Sequence, residues 1–284
     1  MVLRYEEPAE PLRRHFTSYF VMASTEGVAA PREWVLPAWG MIWIMLDPTA
    51  VRVEIGNRRY AGLASSVLYG VTSRAMAVDA TGSIMVGMDV SPLGWARLFG
   101  RTAEGLRDRI VPLVDMLPAD FVEELYLSLM ASDRGRDVKA VLDRLFLPLM
   151  ATPHPDEESI IELLRLLGDD RFTDVTTAAR AYGLNPRSTA RLARSFFGFP
   201  PKTLMMRTRF LRALVPLLDG GNRSADDAVL TGYYDQSHFN KDAMRYLGMS
   251  PQRYIDLPQS YAAAARRGRQ AVIGSPIPAL DCFD

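Results

Sequence analysis

One cysteine and three histidines are all that 284 residues provide of thiol and imidazole side chains. With Cys282 alone, no internal disulfide framework and no cysteine-based metal cluster can form. A lone thiol also suits a reducing cytoplasm, the expected location. His154 and His238 have no second histidine, cysteine or paired acid at ligand spacing, so neither metal nor cofactor is expected. His15 is the only histidine before His154, which excludes a metal-dependent β-barrel enzyme built on histidine ligands.

Net charge is also missing: thirty-three Lys and Arg balance thirty-three Asp and Glu. The uncharged stretch from Trp34 to Leu46 is broken by Pro37 and Gly40 and is too short for a membrane span. The opening residues MVLRYEEPAE lack the basic-then-apolar order of a signal peptide. Catalytic patterns are absent as well: there is no glycine-rich phosphate loop, no Ser-His-Asp order and no paired carboxylates at catalytic spacing. A DNA-repair alkyl acceptor would need an activated cysteine, and nothing near Cys282 in sequence activates it. No enzyme is expected.

The balanced charge is unevenly spread. Residues 171–254 hold thirteen Lys or Arg against six Asp or Glu, a net of +7. Residues 1–170 hold seventeen against twenty-four, a net of −7. A basic segment behind an acidic one fits one part meeting a polyanion while the other does something else.

Two kinds of periodicity divide the chain. From about His15 to Val90, short runs rich in Val, Ile, Tyr, Trp and Met (HFTSYFVMA, MIWIML, VRVEI, SVLYGV, GSIMVGMDV) alternate with Gly, Pro, Asn and Asp. They predict a small β-barrel or sandwich. Ser91 and Pro92 then offer a helix cap and a proline at the first helical position. Amphipathic stretches follow at 120–130 and 137–150, able to pair across a two-fold axis or to pack on the β domain. The expected fold is α+β: a domain over 1–150 (strands, then trailing helices), a linker at 151–159, a helical domain over 160–257 and a flexible tail over 258–284.

The helical third contains a repeat. ARAYG, from Ala179 to Gly183, is matched forty-nine residues later by AVLTG, from Ala228 to Gly232. Each glycine precedes a polar turn and a helix, Asn185 to Phe197 and Asp235 to Leu247. Each helix ends in a glycine with a proline three residues on, Gly198 with Pro201 and Gly248 with Pro251. A small residue where two helices cross, then glycine to leave the first helix in a left-handed conformation, is the geometry of a helix-turn-helix. Leu184 and Tyr233 would plug the angle between the paired helices. The two units span about 174–198 and 224–248.

GYYDQSHFNKDAMRYLGMSPQRY (232–254), preceded by PRSTARLARSFFGFPPK (186–202), resembles the tandem helix-turn-helix domain of the AraC/XylS transcription regulators over roughly residues 157–257. VLPAWGMIWIML and GMDVSPLGWARLFG resemble, less specifically, the cupin-like β domain that precedes it in a poorly characterised subgroup. The resemblance implies two recognition helices in successive major grooves of double-stranded DNA, joined by a helix around Thr203 to Leu214. It assigns base reading to Arg187, Ser188 and Arg191, with Arg194 toward phosphate, and in the second unit to Gln236, His238 and Lys241 beside Ser237 and Asn240. Arginine pairs in bidentate fashion with guanine, and glutamine reads adenine. Lys202, Arg207 and Arg209 become backbone clamps.

The resemblance further implies a front domain that senses a small molecule, forms a homodimer, or both, and contact with RNA polymerase if the protein activates. Tyr19, Trp34, Trp39, Trp43 and Met45 would either line an effector pocket or fill the β core. Thr189, Ala193, Asp227 and Ala243 stand where the family has larger apolar residues, and Pro216 interrupts the connecting helix. These departures keep open a protein-interaction module with degenerate helix-turn-helix units.

Overall fold

A computed structural model describes residues 2–23, 32–46, 51–80, 84–134, 136–218, 233–258 and 260–281. Ten antiparallel strands among them form two sheets. The larger has the order β1-β2-β9-β4-β7-β10 and the smaller β3-β8-β5-β6. The strands are β1 (Val2–Glu6), β2 (Phe16–Ala23), β3 (Glu33–Val35), β4 (Gly40–Met45), β5 (Arg52–Ile55), β6 (Arg58–Tyr60), β7 (Ser66–Tyr69), β8 (Met76–Asp79), β9 (Ile84–Val90) and β10 (Ile110–Pro112). No closed barrel forms among the described residues. β4 is buried along its whole length, because side chains on both of its faces meet other layers.

The helices are α1 (Pro92–Leu98), α2 (Ala119–Ala131), α3 (Val138–Phe146), α4 (Glu157–Gly168), α5 (Val175–Ala181), α6 (Pro186–Phe197), α7 (Pro201–Leu218), α8 (Gln236–Tyr246), α9 (Pro251–Ile255) and α10 (Ser260–Ile273). Ser91 caps α1 as its sequence suggests: its hydroxyl accepts the Gly94 N–H at 3.1 Å, and Pro92 takes the first helical position. α2 and α3 pack on the β domain, with the Phe146 ring 4.8 Å from Phe16 and 5.3 Å from Phe121. α7 runs through Pro216 to Leu218, so the proline sits inside this helix without ending it earlier.

The helical third does not stand apart from the sheets. One continuous core joins Phe16, Ile42 and Trp95 of the front domain to Leu163 of α4 and Phe197 of α6. A second core gathers Phe210, Phe239, Tyr246 and Tyr254 around Leu36 and Ala75 of the β domain. Segment 151–156 runs between these bodies, and Glu157 at the start of α4 pairs with Arg97 at 2.6 Å. His154 stands edge-on to Phe196 at 5.1 Å.

The tail departs furthest from expectation. Instead of a flexible end, residues 260–273 form α10, which packs against β1, β2 and β3. Glu33 caps it by accepting the backbone N–H groups of Tyr261 (3.0 Å) and Ala262 (3.2 Å). Arg269, 1% exposed, donates to Thr17 at 3.0 Å, to the Ser275 carbonyl at 2.8 Å and to Asp281 at 2.7 Å. Those partners lie too far away in sequence for local periodicity to reveal.

His15 is buried where β2 meets α1 and α4, and burial first, then the Arg97 guanidinium, lowers its pKa to about 4. Between about pH 6.5 and 4 the unfolded chain binds a proton there that the folded chain refuses. Stability is therefore lost as pH falls through this window, at up to about 1.4 kcal/mol per pH unit from this group. His15→Gln should flatten that slope in denaturant titrations from pH 7 to 4. An unchanged slope would put the acid sensitivity elsewhere.

Candidate nucleic-acid interface

The first helix-turn-helix unit is built by local chemistry. Asp174 caps α5 by accepting the Thr177 N–H at 2.8 Å, and Gly183 leaves α5 with φ of +66°. The Leu184 N–H closes the turn on the Ala179 carbonyl at 2.8 Å. Asn185 caps α6 by accepting the Arg187 N–H at 2.9 Å. α6 buries Thr189, Leu192, Ala193 and Phe197. Thr189 satisfies its hydroxyl within the helix, donating to the Asn185 carbonyl at 2.8 Å, so a polar residue is accommodated in an apolar position.

The opposite face of α6 exposes Arg187, Arg191 and Arg194. Arg191 reaches Asp156 at 3.3 Å and Arg194 reaches Glu104 at 3.6 Å. Sequence reading missed both acids; they lie outside the helix-turn-helix units and carry no motif. Ser188 is half-buried, and its hydroxyl donates to the Asn185 carbonyl at 2.9 Å.

α8 repeats the plan. Asp235 caps it by accepting the His238 N–H at 2.8 Å, and Phe239, Ala243 and Tyr246 face inward. Gln236, Ser237, His238, Asn240 and Lys241 are exposed together at its start and along one side. Asp242 is buried and accepts the Tyr233 hydroxyl at 2.8 Å. The readings on Asp227, Ala228 and Gly232 fall outside the described residues.

Of the three expected phosphate clamps, Arg207 is buried and Arg209 is paired with an acid. Arg207 is 1% exposed: its guanidinium lies 4.3 Å from the Trp39 ring centre and donates to the Thr72 and Ala38 carbonyls at 3.1 and 3.5 Å. Burial holds its pKa down to about 10. Arg209 is largely covered, stacked on Tyr233 at 4.6 Å and 3.4 Å from Asp242. Arg207 lies on the inner side of α7, where helix phase and not basic character decides its partners, whereas Arg209, two positions on, lines the groove that Lys202 also lines. Lys202 stays exposed and lines a groove of about 990 Å³ with Met205, Arg212 and His238.

The aromatic residues of the front domain divide similarly. Trp34 and Trp43 line a cavity of about 140 Å³ between the larger sheet, β3 and α10. Tyr19, Trp39 and Met45 do not line it. Tyr19 points away because side chains alternate along β2, where Phe20 and Met22 face the cavity. Trp39 meets Phe197 edge-on at 5.6 Å, and Met45 lies in the β core. Among the described residues, no group of three or more potential metal ligands is gathered, and no helix is long and apolar enough to cross a membrane.

A family model described as a helix-turn-helix domain matches residues 178–256, the stretch holding α6 and α8. No curated protein matches the chain. Among solved structures it is similar to ToxT of Vibrio cholerae bound to an unsaturated fatty acid, with 12% identity, 86% of this chain and 96% of that one covered, and a TM-score of 0.44. A 1.65 Å structure of ToxT from the same organism gives 9% identity, 90% and 98% coverage and a TM-score of 0.46. The AraC-like transcriptional activator CuxR gives 15% identity, 69% and 73% coverage and a TM-score of 0.26. Residues 178–256 are thus a helix-turn-helix domain of the AraC type.

Proposed function

We propose that the protein reads an asymmetric operator of roughly two helical turns, with α6 and α8 in successive major grooves. The observation that carries this reading is the division of α6: Leu192, Ala193 and Phe197 are buried while Arg187 and Arg191 stand exposed four residues apart. Arg187 and Arg191 take guanine edges, Gln236 takes adenine, and Lys241 takes guanine or phosphate. His238, Asn240, Ser237 and Ser188 contact what lies between, and Arg194 and Lys202 hold phosphate. Docking on DNA means giving up the pairs of Arg191 with Asp156 and Arg194 with Glu104. Exposed pairs of this kind contribute about 0–1 kcal/mol, less than the roughly 1–3 kcal/mol of a bidentate guanine contact, so DNA wins Arg191 from Asp156.

Control by a small molecule is assigned to the cavity under Trp34 and Trp43. Tyr254 of α9 donates its hydroxyl to the Trp34 carbonyl at 3.1 Å, and the Ala75 N–H donates to the Tyr246 carbonyl at 2.6 Å. The cavity wall is thus bonded to the helix that follows the second reading unit, and the unit itself is bonded to the β domain. Leu127, Leu147 and Leu149, exposed on and after α2 and α3, offer a surface on which two copies could pair in the cytoplasm. As an activator the protein would also touch RNA polymerase while bound; as a repressor it need not.

Selection of randomised duplexes by the full chain at two salt concentrations tests this reading. Two sequence blocks about one turn apart are expected. On the selected site Arg191→Ala should weaken binding by about 1–3 kcal/mol, some 5- to 150-fold, and relax base choice at one position. An equal loss on random DNA would make Arg191 a phosphate contact. No selected motif, with a steep salt dependence, would favour the protein-interaction module.

A further inference from the structure

The cavity between the sheets and α10 has a composition that narrows its occupant. Phe20, Met22, Met41, Trp43 and Met85 form one wall and Trp34 another, so the walls are aromatic rings and adaptable thioethers. Its volume of about 140 Å³ is close to the roughly 150 Å³ of an engineered apolar cavity that holds benzene. That volume suits one or two fused rings.

Four charged side chains also reach the cavity, Glu33, Asp89, Arg266 and Arg269. Each already has protein partners. Glu33 accepts two backbone N–H groups of α10. Asp89 accepts the Ser18 hydroxyl at 2.5 Å and lies 3.5 Å from Arg269, which is further held by Asp281 at 2.7 Å. Arg266 is engaged as well. A charged ligand would have to break a buried ion pair or bring an unpaired charge into an apolar site, and both are costly. The indole N–H of Trp43 is buried with no acceptor, which a ligand could supply.

We propose that this cavity binds an uncharged one- or two-ring aromatic molecule carrying a hydrogen-bond acceptor, enclosed by α10 and the segment after it. The proposal rests on the reading of this cavity as the effector site, and it adds the ligand's chemical class.

Three probes of nearly one shape separate the possibilities on the full chain without DNA, by calorimetry at pH 7.5. Quinoline is neutral there and has one acceptor, naphthalene has none, and 1-naphthoate is charged. Quinoline should bind saturably, about two- to tenfold tighter than naphthalene, with 1-naphthoate weakest. Trp43→Phe should remove the advantage of quinoline while naphthalene still binds. Met85→Trp, which fills the cavity, should abolish binding of both while leaving the thermal midpoint unchanged or higher. Saturable binding strongest for 1-naphthoate, or no saturable binding of any probe, overturns the proposal. DNA affinity measured with and without quinoline then tests the other reading separately. Saturable binding of quinoline that leaves DNA affinity unchanged would sustain the site and its ligand class and remove the effector role alone.

Discussion

Arg269→Ala is expected to cost about 3–5 kcal/mol of stability, because it breaks a buried ionic cluster and leaves Asp89 uncompensated. In a chain of this size that is a fall of roughly 10 °C in thermal midpoint. Arg269 links β2 through Thr17, β9 through Asp89 and the closing segment through Ser275 and Asp281, so no neighbour can replace it. Burial first raises the Asp89 pKa, and the Arg269 cation opposes that rise. Without the cation Asp89 should retain its proton to higher pH when folded. A carboxyl whose folded pKa exceeds its unfolded one loses stability as pH rises through that interval, so the deficit should shrink toward pH 4. Calorimetric melts at pH 4, 6 and 8 check both parts. A midpoint within 2 °C of the parent at pH 8 would mean that α10 is held by its apolar contacts alone.

Phe197→Ala should be comparably damaging, at about 3–5 kcal/mol. The ring is fully buried and stands edge-on to Trp39, tying the last turn of α6 to the sheets. Next to it Gly198 ends the helix with φ of +76°, and a Cβ there would come within 2.1 Å of the Val71 side chain. The helix end thus fits closely against the β domain, with little room to collapse into a void. Phe196→Ala is the control. Its half-buried ring meets only the edge of His154 among aromatic partners, and its loss should cost roughly 1 kcal/mol. Equal losses from the two substitutions in urea titrations would place the contact with Trp39 outside the stable core.

The contrast between these phenylalanines shows where the sequence is legible. Caps and turns depend on residues a few positions apart, so Asn185 and Gly198 mark the two ends of α6, Asp235 the start of α8 and Gly183 the turn after α5. Exposure of Arg187 and Arg191 follows from the same helical phase. Long-range partners leave no such trace. Arg207 looks like any other arginine of a basic segment until Trp39 and the Thr72 carbonyl, 168 and 135 positions away, are folded against it. Trp39 and Trp43 differ by four positions in one motif, yet one meets a reading helix and the other a cavity. The order of residues 260–281 leaves no local trace for the same reason: the cap of α10 comes from Glu33 and its anchor from Thr17 and Asp89.

The packing of α10 on β1 has a consequence for synthesis. β1 is translated first, but the helix covering it emerges only after some 250 further residues. At roughly 5–20 residues per second, that is a wait on the order of 13 to 50 s. The first reading unit, whose capping and turn contacts are local, is completed at Phe197 and so precedes α10 by about 60 residues, or roughly 3–12 s. The cavity meanwhile stays open on the side that α10 will close. A newly made regulator therefore passes through an interval in which it can meet DNA before its sensor is sealed, and the length of that interval is set by translation speed.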